Sequence, residues 1–357
     1  MIRLFLEKIL SGLLTLVGVA TLIFFLFNVM GDPTQMMVDQ NATQSQVKKI
    51  QQKYGFDLPG YQQFLYYLND LSPVSIHSSE KQDFSGYSQD KYGGFSVQLG
   101  TTVLALKWPY LRSSYQRQGK RVTTIIRETL PNTFLLAVTS IGLAIVLGMI
   151  LGVIAGYYKG SATDKLLVLL STFGMSVPSF FSAILFSWIF GHVLADYTGL
   201  NMTGSLYEMD DFGEGKQLQL QNLILPAVVL GIRPIAVIVQ LVRSGIIDVM
   251  TQEYIKTAFA KGLSPFQAVY RHAIKNTMNP VITAISGWFA SMLAGAVFVE
   301  YIFGWRGLGK EIVTALTTLD IPVVMGAVLV IASLFTLINI LVDFLYMYID
   351  PKANPFN

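Results

Sequence analysis

Five long runs of residues in this chain contain no Asp, Glu, Lys or Arg, and they span 22 to 30 positions each. All are longer than the ~20 residues that a helix needs to cross the hydrocarbon core of a bilayer. A sixth run, Gln217–Val242, is interrupted only by Arg233. Continuous apolar runs predict helices, because strands of membrane barrels alternate apolar and polar residues instead. The five uninterrupted runs are Ile9–Gly31, Thr129–Tyr158, Leu166–Ala195, Asn276–Val299 and Ile321–Val342.

The composition agrees with an all-α integral membrane protein of six transmembrane helices. Hydrophobic residues make up 52% of the 357 positions and charged residues only 13%, which excludes the usual soluble classes. The absence of cysteine excludes disulfides, thiolate metal sites and iron–sulfur clusters. Three scattered histidines, His77, His192 and His272, cannot form a His-rich metal centre. We expect no metal site and no nucleic-acid partner.

The basic residues between the apolar runs predict the topology. With six spans, the loops fall into two sets, of which one carries ten Lys and Arg residues and the other, counted over its short loops, carries three. Loops on the cytoplasmic side are enriched in Lys and Arg, and loops longer than about 60 residues are left out of this comparison. Both termini are therefore predicted to lie in the cytoplasm.

Four regions are predicted along the chain. Residues 1–31 form a retained N-terminal transmembrane helix, since no small-residue cleavage site of the A-x-A kind follows it. Residues 32–128 form a small extracytoplasmic lobe, because their Tyr, Gln, Ser and Gly content with mixed charge is more typical of a folded segment than of a linker. Residues 129–350 form a core of five further helices with a cytoplasmic loop at about 243–278, and residues 351–357 form a cytoplasmic tail.

The cytoplasmic segment between the fourth and fifth spans is the most informative part of the sequence. Gly262 stands where a glycine ends a helix in the left-handed region, and Ser264 and Pro265 then predict an N-cap and a proline at N1, with Gln267 completing a capping box. A second helix is predicted to carry its apolar residues on one face. This bent element could lie on the membrane, close the helical bundle or dock into another protein. The apolar positions of the second helix are Phe266, Val269, Tyr270, Ala273, Ile274 and Thr277.

Two strings in this segment resemble the cytoplasmic loop of ABC-transporter inner-membrane permeases, in the form found in the dipeptide/oligopeptide/nickel importer group. The first string is Thr-Ala-x-Ala-Lys-Gly at 257–262, and the second is Arg-His-Ala-Ile-Lys-Asn at 271–276. The resemblance extends over nearly the whole chain, because further segments follow in the order typical of the family. These are Gly31-Asp32-Pro33, residues 54–59, Leu130-Pro131-Asn132-Thr133, Ser176-Val177-Pro178, Leu225-Pro226-Ala227, residues 299–303, Gly307-Leu308-Gly309 and Asp350-Pro351-Lys352.

Two features depart from the family pattern. Arg306 stands where a proline usually follows the aromatic residue, here Trp305. The external segment also carries some 30 to 40 additional residues before Lys107-Trp108-Pro109, which suggests an added contact surface, for example for a binding protein.

The resemblance implies the permease subunit of a type I ABC importer, which forms the translocation pathway for peptide-like solutes. It implies four kinds of partner: a second homologous permease, two cytoplasmic ATPase subunits, an extracytoplasmic solute-binding protein and the bilayer of the inner membrane. This chain has no G-x-x-x-x-G-K-[ST] phosphate loop, so it is expected to be no enzyme and to bind no cofactor, with ATP and Mg held by the ATPase subunits. The residues implied for ATPase coupling are Lys256, Thr257, Ala258, Ala260, Lys261, Gly262, Ser264, Pro265, Arg271, His272 and Asn276.

Polar residues inside the predicted spans are candidates for the pathway or its gate. Arg233 either pairs structurally with Glu300 or Asp196, or lines the pathway and meets a carboxylate of a peptide-like substrate. Asn339 and Asp343 begin a polar stripe that Tyr346 and Asp350 continue, either for helix packing or a cytoplasmic gate, or as a proton relay.

Backbone features of the second and third spans have structural interpretations. Pro178 is expected to kink the third span, although a substrate contact remains open. Gly142, Gly148, Gly152 and Gly156 predict close helix packing, for which another bundle is the expected partner.

Two other classes of membrane protein, intramembrane enzymes and ATP-independent transporters, carry recognisable sequence features. An intramembrane enzyme would need a nucleophile with a base or a metal pair, and neither H-E-x-x-H nor G-x-S-x-G occurs. An ATP-independent channel or secondary transporter is the alternative that stays open. Such transporters often show inverted repeats and several buried ionisable residues, and neither is visible in this sequence.

Overall fold

The computed structural model describes residues 2–29, 34–37, 43–80, 84–117, 119–209 and 215–349. The chain divides into two compact units: the first comprises Met1–Thr129 and Glu311–Ser333, and the second comprises Leu130–Lys310 and Leu334–Asn357. The predicted tail 351–357, the motif Gly31-Asp32-Pro33 and the side chains of Asp343, Tyr346 and Asp350 lie outside what the structure describes.

The first unit begins with the long apolar helix α1 and continues into a mixed lobe of short helices and three strands. Helix α3 ends at Gly55, whose φ of +72° allows the left-handed turn that closes the helix. The described residues of this segment thus form helices and strands. The elements in this part of the first unit are α1 (Ile2–Val29), α2 (Thr34–Met37), α3 (Gln44–Tyr54), α4 (Gly60–Leu71), β1 (Val74–Ser78), α5 (Gln89–Tyr92), β2 (Phe95–Leu99) and β3 (Thr102–Leu106).

The three strands form an antiparallel sheet in the order β1-β3-β2. Ser75 and His77 of β1, with Val103 and Ala105 of β3, point to the buried face. Because side chains alternate along a strand, the intervening residues form an exposed apolar face. This face carries Val74, Ile76, Phe95, Val97, Leu104 and Leu106.

A buried carboxylate organises the polar interior of the lobe. Asp70, 6% exposed, accepts hydrogen bonds from Arg112 Nε at 2.8 Å and from Tyr92 Oη at 3.1 Å. The ammonium of Lys107 donates to the carbonyl oxygens of Asp70 at 2.5 Å and of Ser72 at 3.1 Å. Each of these charged groups therefore has a partner that offsets the cost of its burial.

Helix α6 starts earlier than the apolar run that predicted it. The run begins at Thr129, whereas the helix begins at Val122 and has 36 residues. Arg127 and Glu128 can occupy a helix that extends beyond the hydrocarbon, because a helix of this length rises about 54 Å at 1.5 Å per residue.

The second unit contains most of α6, the helices that follow it as far as Phe303, and one two-stranded sheet, whereas most of the helix Leu308–Thr317 and the first part of the last helix belong to the first unit. Four described helices, α1, α6, Gln221–Met250 and the helix that begins at Ile321, are individually long and apolar enough to cross a membrane, and the number is six if each of two bent pairs counts as one span. The elements after α6 (Val122–Tyr157) are α7 (Ala162–Ser176), α8 (Ser179–Trp188), α9 (Ala195–Thr198), β4 (Tyr207–Met209), β5 (Lys216–Leu218), α10 (Gln221–Met250), α11 (Glu253–Ala260), α12 (Pro265–Ala268), α13 (Ile274–Gly295), α14 (Val297–Phe303), α15 (Leu308–Thr317) and α16 (Ile321–Ile349), with π-helical segments at Ile189–Val193 and Val269–Ala273.

The third apolar run is broken rather than gently kinked. Helices α7 and α8 meet at an angle of 107° around Val177 and Pro178. Pro178 cannot donate a backbone hydrogen bond, and it forces the residue before it into an extended conformation. The predicted kink at Pro178 is therefore present and is much sharper than expected.

The glycine-rich stripe of α6 packs inside this chain. A Cβ atom added at Gly148, Gly152 or Gly156 would lie 2.7 to 2.9 Å from the Cβ atom of a β-branched residue of α10. The expectation that this stripe faces another bundle is therefore wrong for these three glycines, whereas Gly142 has open space around it. The four-residue period on both helices lets their backbones approach closely. Ile238 faces Gly148, Val242 faces Gly152 and Ile246 faces Gly156.

Candidate functional site

The backbone turn between α11 and α12 has the geometry that its sequence predicted. Gly262 has φ of +89°, a conformation that side-chain-bearing residues rarely adopt. Ser264 accepts a hydrogen bond from the backbone of Gln267 at 3.3 Å, and the Gln267 side chain accepts one from the backbone of Ser264 at 3.1 Å. Pro265 stands at the start of α12. The predicted helix end, N-cap, N1 proline and capping box are thus confirmed.

Most of the residues implied for ATPase coupling are on the surface of this segment. Ala258 differs, because it is buried at 9% exposure and faces the interior of its own chain. Ala260 is exposed, and its small side chain adds little bulk to the outer face of α11. His272 is half-buried beside Tyr254, with 6.4 Å between the ring centroids. The exposed members are Lys256, Thr257, Ala260, Lys261, Gly262, Ser264, Pro265, Arg271 and Asn276.

Exposed aromatic side chains accompany these residues. Phe266 and Tyr270 are 65% and 70% exposed, and Tyr254 and Phe259 of α11 are 46% and 37% exposed. We call these four residues the aromatic surface. Phe266 and Tyr270, two of the apolar positions of this helix, are thus exposed rather than packed inside the chain. Smaller residues occupy the buried face instead, namely Ala268, Val269, Ala273 and Thr277.

Helix α12 continues without a break into the fifth span. The π-helical segment Val269–Ala273 joins α12 to α13, so that one helical run extends from Pro265 to Leu293. The Asn276 amide donates to Tyr254 Oη at 3.0 Å and to the carbonyl of His272 at 3.0 Å. The first of these hydrogen bonds joins α11 to the start of α13.

Arg233 lies at a small cavity in the second unit. The cavity has a volume of about 100 Å³ and is lined by residues of α7, α8, α10 and α13, including Ser179, Ser182 and Trp288. Arg233 Nη2 donates to the carbonyl of Val177 at 3.4 Å, whereas its buried Nε has no hydrogen-bond partner among the described residues. Glu300 and Asp196 were expected as structural partners of Arg233. Among the residues that the structure describes, neither forms an ion pair with Arg233.

Glu300 lies in α14 at 0% exposure and binds the beginning of α15. Its Oε2 accepts hydrogen bonds from the backbone N–H groups of Gly309 at 2.7 Å and Lys310 at 3.2 Å. A Cβ atom at Gly307 would collide with the Glu300 carboxyl group. The motif Gly307-Leu308-Gly309 therefore leaves the room that a buried carboxylate needs to cap this helix.

The remaining gate candidates lie on α16. Asn339 is half-buried in this helix, and the side chain of Asp343 lies outside the described part of the chain. Asn339 has no described contact with Arg233 or Glu300.

Sequence reasoning did not identify the ion pair between α7 and α10. Arg243 Nε and Nη2 bind the two carboxylate oxygens of Asp164 at 2.5 and 2.9 Å, and the Asp164 side chain is 2% exposed. The sequence indicates only that charged residues lie at the ends of the apolar runs. It does not indicate that Asp164 pairs with Arg243, which is 79 positions away.

The sequence matches two family models that together cover most of the chain. The model described as "Binding-protein-dependent transport system inner membrane component" matches residues 148–355, and the corresponding N-terminal model matches residues 1–137. The turn at Gly262, Arg233, Glu300 and Asn339 all lie within the first of these ranges.

Several curated proteins are similar over their whole length. A dipeptide transport system permease of Alkalihalophilus pseudofirmus is 27% identical, with 94% of this chain and 95% of the relative covered. A putative peptide permease of Brucella ovis is 31% identical, with 99% of both covered. Among solved structures, an inward-facing form of the MetNI methionine ABC transporter covers 64% of this chain and 97% of its own, at 14% identity and a TM-score of 0.49.

Proposed function

Because the chain belongs to the family of binding-protein-dependent transport system inner-membrane components, we propose that it forms the translocation pathway for di- or oligopeptide-like solutes. It is the multi-pass permease subunit of an ABC importer and has no ATPase site of its own, so ATP is hydrolysed by separate subunits. The peptide cargo is inferred from similar proteins that are named dipeptide or peptide permeases. The alternative of an ATP-independent channel or secondary transporter does not agree with this family.

The assembly that we propose contains this chain, a second homologous permease, two cytoplasmic ATPase subunits that hold ATP and Mg, and an extracytoplasmic binding protein. In this proposal each bent pair crosses once, which makes six spans, and both termini lie in the cytoplasm. The lobe of residues 32–128 then lies outside. The distribution of Lys and Arg among the short loops supports this orientation.

The aromatic surface and its basic neighbours form the seat for an ATPase subunit in this proposal. Large exposed aromatic side chains are typical anchors of protein interfaces, and arginine is similarly enriched there. Phe266 and Tyr270 have the largest exposed fractions among the aromatic side chains of the segment, and Arg271 is also exposed. The observation that supports coupling between the ATPase subunit and the membrane span is the unbroken helical run from Pro265 to Leu293. A tilt imposed at the turn reaches the membrane span through this run.

Substitutions of Gly262 test the coupling directly. A Cβ atom at this position meets no other atom within 4 Å, so only the φ of +89° opposes a side chain. We expect Gly262→Val to distort the turn and to abolish stimulation of ATP hydrolysis by loaded binding protein. Gly262→Asn is the matched control, because asparagine tolerates left-handed conformations better than other residues do. Equal coupling in both variants would refute the seat at this turn, without bearing on the peptide cargo.

Arg233 is proposed as a contact for a carboxylate of the cargo. Its unpartnered Nε and the polar side chains at the cavity are compatible with transient binding. We expect Arg233→Gln to reduce uptake of peptides with a free C-terminal carboxylate at least severalfold and to leave C-terminally amidated peptides less affected. Normal uptake of both kinds of peptide would exclude this role. Asn339 and Asp343 are proposed as parts of a cytoplasmic gate rather than of a proton relay, because ATP already drives transport.

A further inference from the structure

A second cavity lies entirely within the first unit of the chain. Its volume is about 220 Å³, and it lies among the end of α1, helix α4, the segment before α6 and the first turn of α16. This exceeds the volume of about 150 Å³ at which an engineered apolar cavity binds benzene. There is thus space for one aromatic group or a short acyl chain. The apolar side of the lining includes Phe24, Phe27, Leu111 and Met325.

Two buried polar atoms at this cavity have no hydrogen-bond partner among the described residues. They are the phenolic oxygen of Tyr67 and Nη2 of Arg112, and both residues line the cavity. Tyr67 is only 3% exposed. Buried polar groups are nearly always paired in folded proteins, so two unpaired atoms at one cavity point to a ligand that supplies their partner.

The guanidinium of Arg112 is held in a definite position. Its Nε is fixed on Asp70 at 2.8 Å, and its Cζ lies 5.5 Å from the centroid of the Tyr67 ring. The backbone of Arg112 has φ of +64°. A non-glycine residue in this region is strained, and such residues cluster where a binding group must be held in place. Nε is already occupied, and the phenol of Tyr115 also interacts with this guanidinium, so Nη2 is the donor that remains available to a ligand.

The charges around the cavity favour an acceptor with negative charge. The carboxylate of Asp70 is engaged by Arg112 and Tyr92, and that of Asp320 accepts hydrogen bonds from the Ser114 hydroxyl and from the backbone of Tyr115 at 2.9 Å. Both carboxylates are thus occupied by donors. Burial raises the pKa of the Tyr67 phenol, and the nearby Arg112 opposes this only in part, so the phenol keeps its proton near neutral pH and can donate it.

We propose that this cavity binds an apolar monocarboxylate, with the carboxylate between Arg112 Nη2 and Tyr67 Oη and the apolar group against Phe24, Phe27 and Met325. A carboxylate offers two oxygens to two donors, and a charge-assisted hydrogen bond to a guanidinium is stronger than a neutral one. Two sources supply this chemistry: a free fatty acid from the membrane, or the C-terminal residue of an apolar peptide. The inference does not rest on the proposed cargo.

Binding of 3-phenylpropionate to the full-length chain in lipid nanodiscs, measured by calorimetry against empty nanodiscs, tests the site. We expect the methyl ester to bind at least tenfold more weakly, since it lacks the charge. Tyr67→Phe keeps the ring that stacks on Phe24 with centroids 5.8 Å apart, and it should weaken binding of the carboxylate about tenfold through loss of one hydrogen bond. Met325→Trp leaves both polar groups in place and should abolish binding by filling the cavity.

Octanoate and an apolar peptide ending in phenylalanine then distinguish the sources. Binding of octanoate alone identifies a fatty-acid site, and binding of the peptide that is lost on C-terminal amidation identifies a peptide site; either result supports the proposal. Absence of saturable binding by all three probes would overturn it. Equal affinities for the carboxylate and its ester, unchanged in Tyr67→Phe, would overturn it as well, and the two polar atoms would then be satisfied by water only.

Discussion

Arg243 in α10 and Asp164 in α7 are joined by two parallel hydrogen bonds, from Nε to Oδ1 at 2.5 Å and from Nη2 to Oδ2 at 2.9 Å. Asp164 Oδ2 also accepts the backbone N–H of Gly160 at 2.8 Å. One carboxylate thus fixes the turn between α6 and α7 and the end of α10. Arginine suits this position because its planar fork matches both oxygens.

Removing one partner of this ion pair should destabilise the second unit strongly. Arg243→Met leaves the Asp164 carboxylate buried without its cation, and we expect a loss of about 3 kcal/mol in the free energy of unfolding. The double variant Asp164→Asn/Arg243→Met should lose less than the sum of the two single variants. Chemical unfolding of the three purified variants measures this, and strictly additive losses would show that the two side chains act independently.

The close approach of α6 and α10 predicts a size limit at Gly152. A Cβ atom there would lie 2.7 Å from Val242 Cβ and 3.0 Å from the Val239 carbonyl oxygen, so we expect Gly152→Leu to cost about 1–3 kcal/mol or more through overpacking. Gly142→Ala is the matched control, since its Cβ meets nothing within 4 Å, and it should leave the melting temperature unchanged or slightly raised. Equal effects of the two substitutions would contradict the packing of this stripe on α10.

The aromatic surface predicts which substitutions separate transport from folding. Phe266→Ala and Tyr270→Ala remove side chains that are 65% and 70% exposed, so the melting temperature should change little. Association with the ATPase subunit should fall at least tenfold, as expected for anchor residues of an interface. Tyr197→Ala removes an aromatic side chain that is 89% exposed and lies on the opposite side in the proposed topology. Copurification that is unchanged in the first two variants would exclude this surface as the seat.

The stability of the lobe should depend on pH through His77. This histidine is 3% exposed and contacts Ser75 Oγ at 2.9 Å. Burial lowers its pKa, while Asp70 raises it and Lys107 lowers it further. The unfolded chain therefore takes up a proton below about pH 6.5 that the folded lobe does not. The contribution of the neutral His77 to the stability of the lobe is therefore present above this pH and is lost as the pH falls.

Hydrogen exchange of β1 and β3 in the full-length chain, corrected for the intrinsic effect of pH, measures this loss between pH 7.5 and 5.5. His77→Gln retains a side chain that can bind Ser75 and does not titrate, so its exchange should be nearly independent of pH over this range. An identical decrease in protection in the variant would assign the pH dependence to other groups.

The sequence predicted those features that depend on neighbouring residues. The turn at Gly262 and the capping box of Ser264 follow from local backbone and hydrogen-bonding rules, and both are present. The apolar runs likewise predicted the long helices α1, α6, α10 and α16, because the bilayer imposes a length and a polarity on any spanning helix.

Features that depend on distant residues were not predictable in the same way. The proline at 178 predicted a kink but not the angle of 107°. The apolar spacing of Phe266 and Tyr270 did not reveal whether these side chains are buried in the chain or exposed on its surface, and both are exposed. The glycines at 148, 152 and 156 pack on α10 of the same chain and not on another bundle as expected. Small residues indicate close packing without indicating which helix approaches.

The break between α7 and α8 has a consequence for the order in which the protein is assembled during synthesis. Helix α7 has 15 residues, which rise about 22 Å and fall short of the ~30 Å hydrocarbon core. Neither α7 nor α8 can thus be released by the insertion machinery as a finished span. Arg243 and the rest of α10 leave the ribosome some fifty residues later. We expect the two short helices to remain with the translocon, or with an insertion chaperone, until α10 arrives.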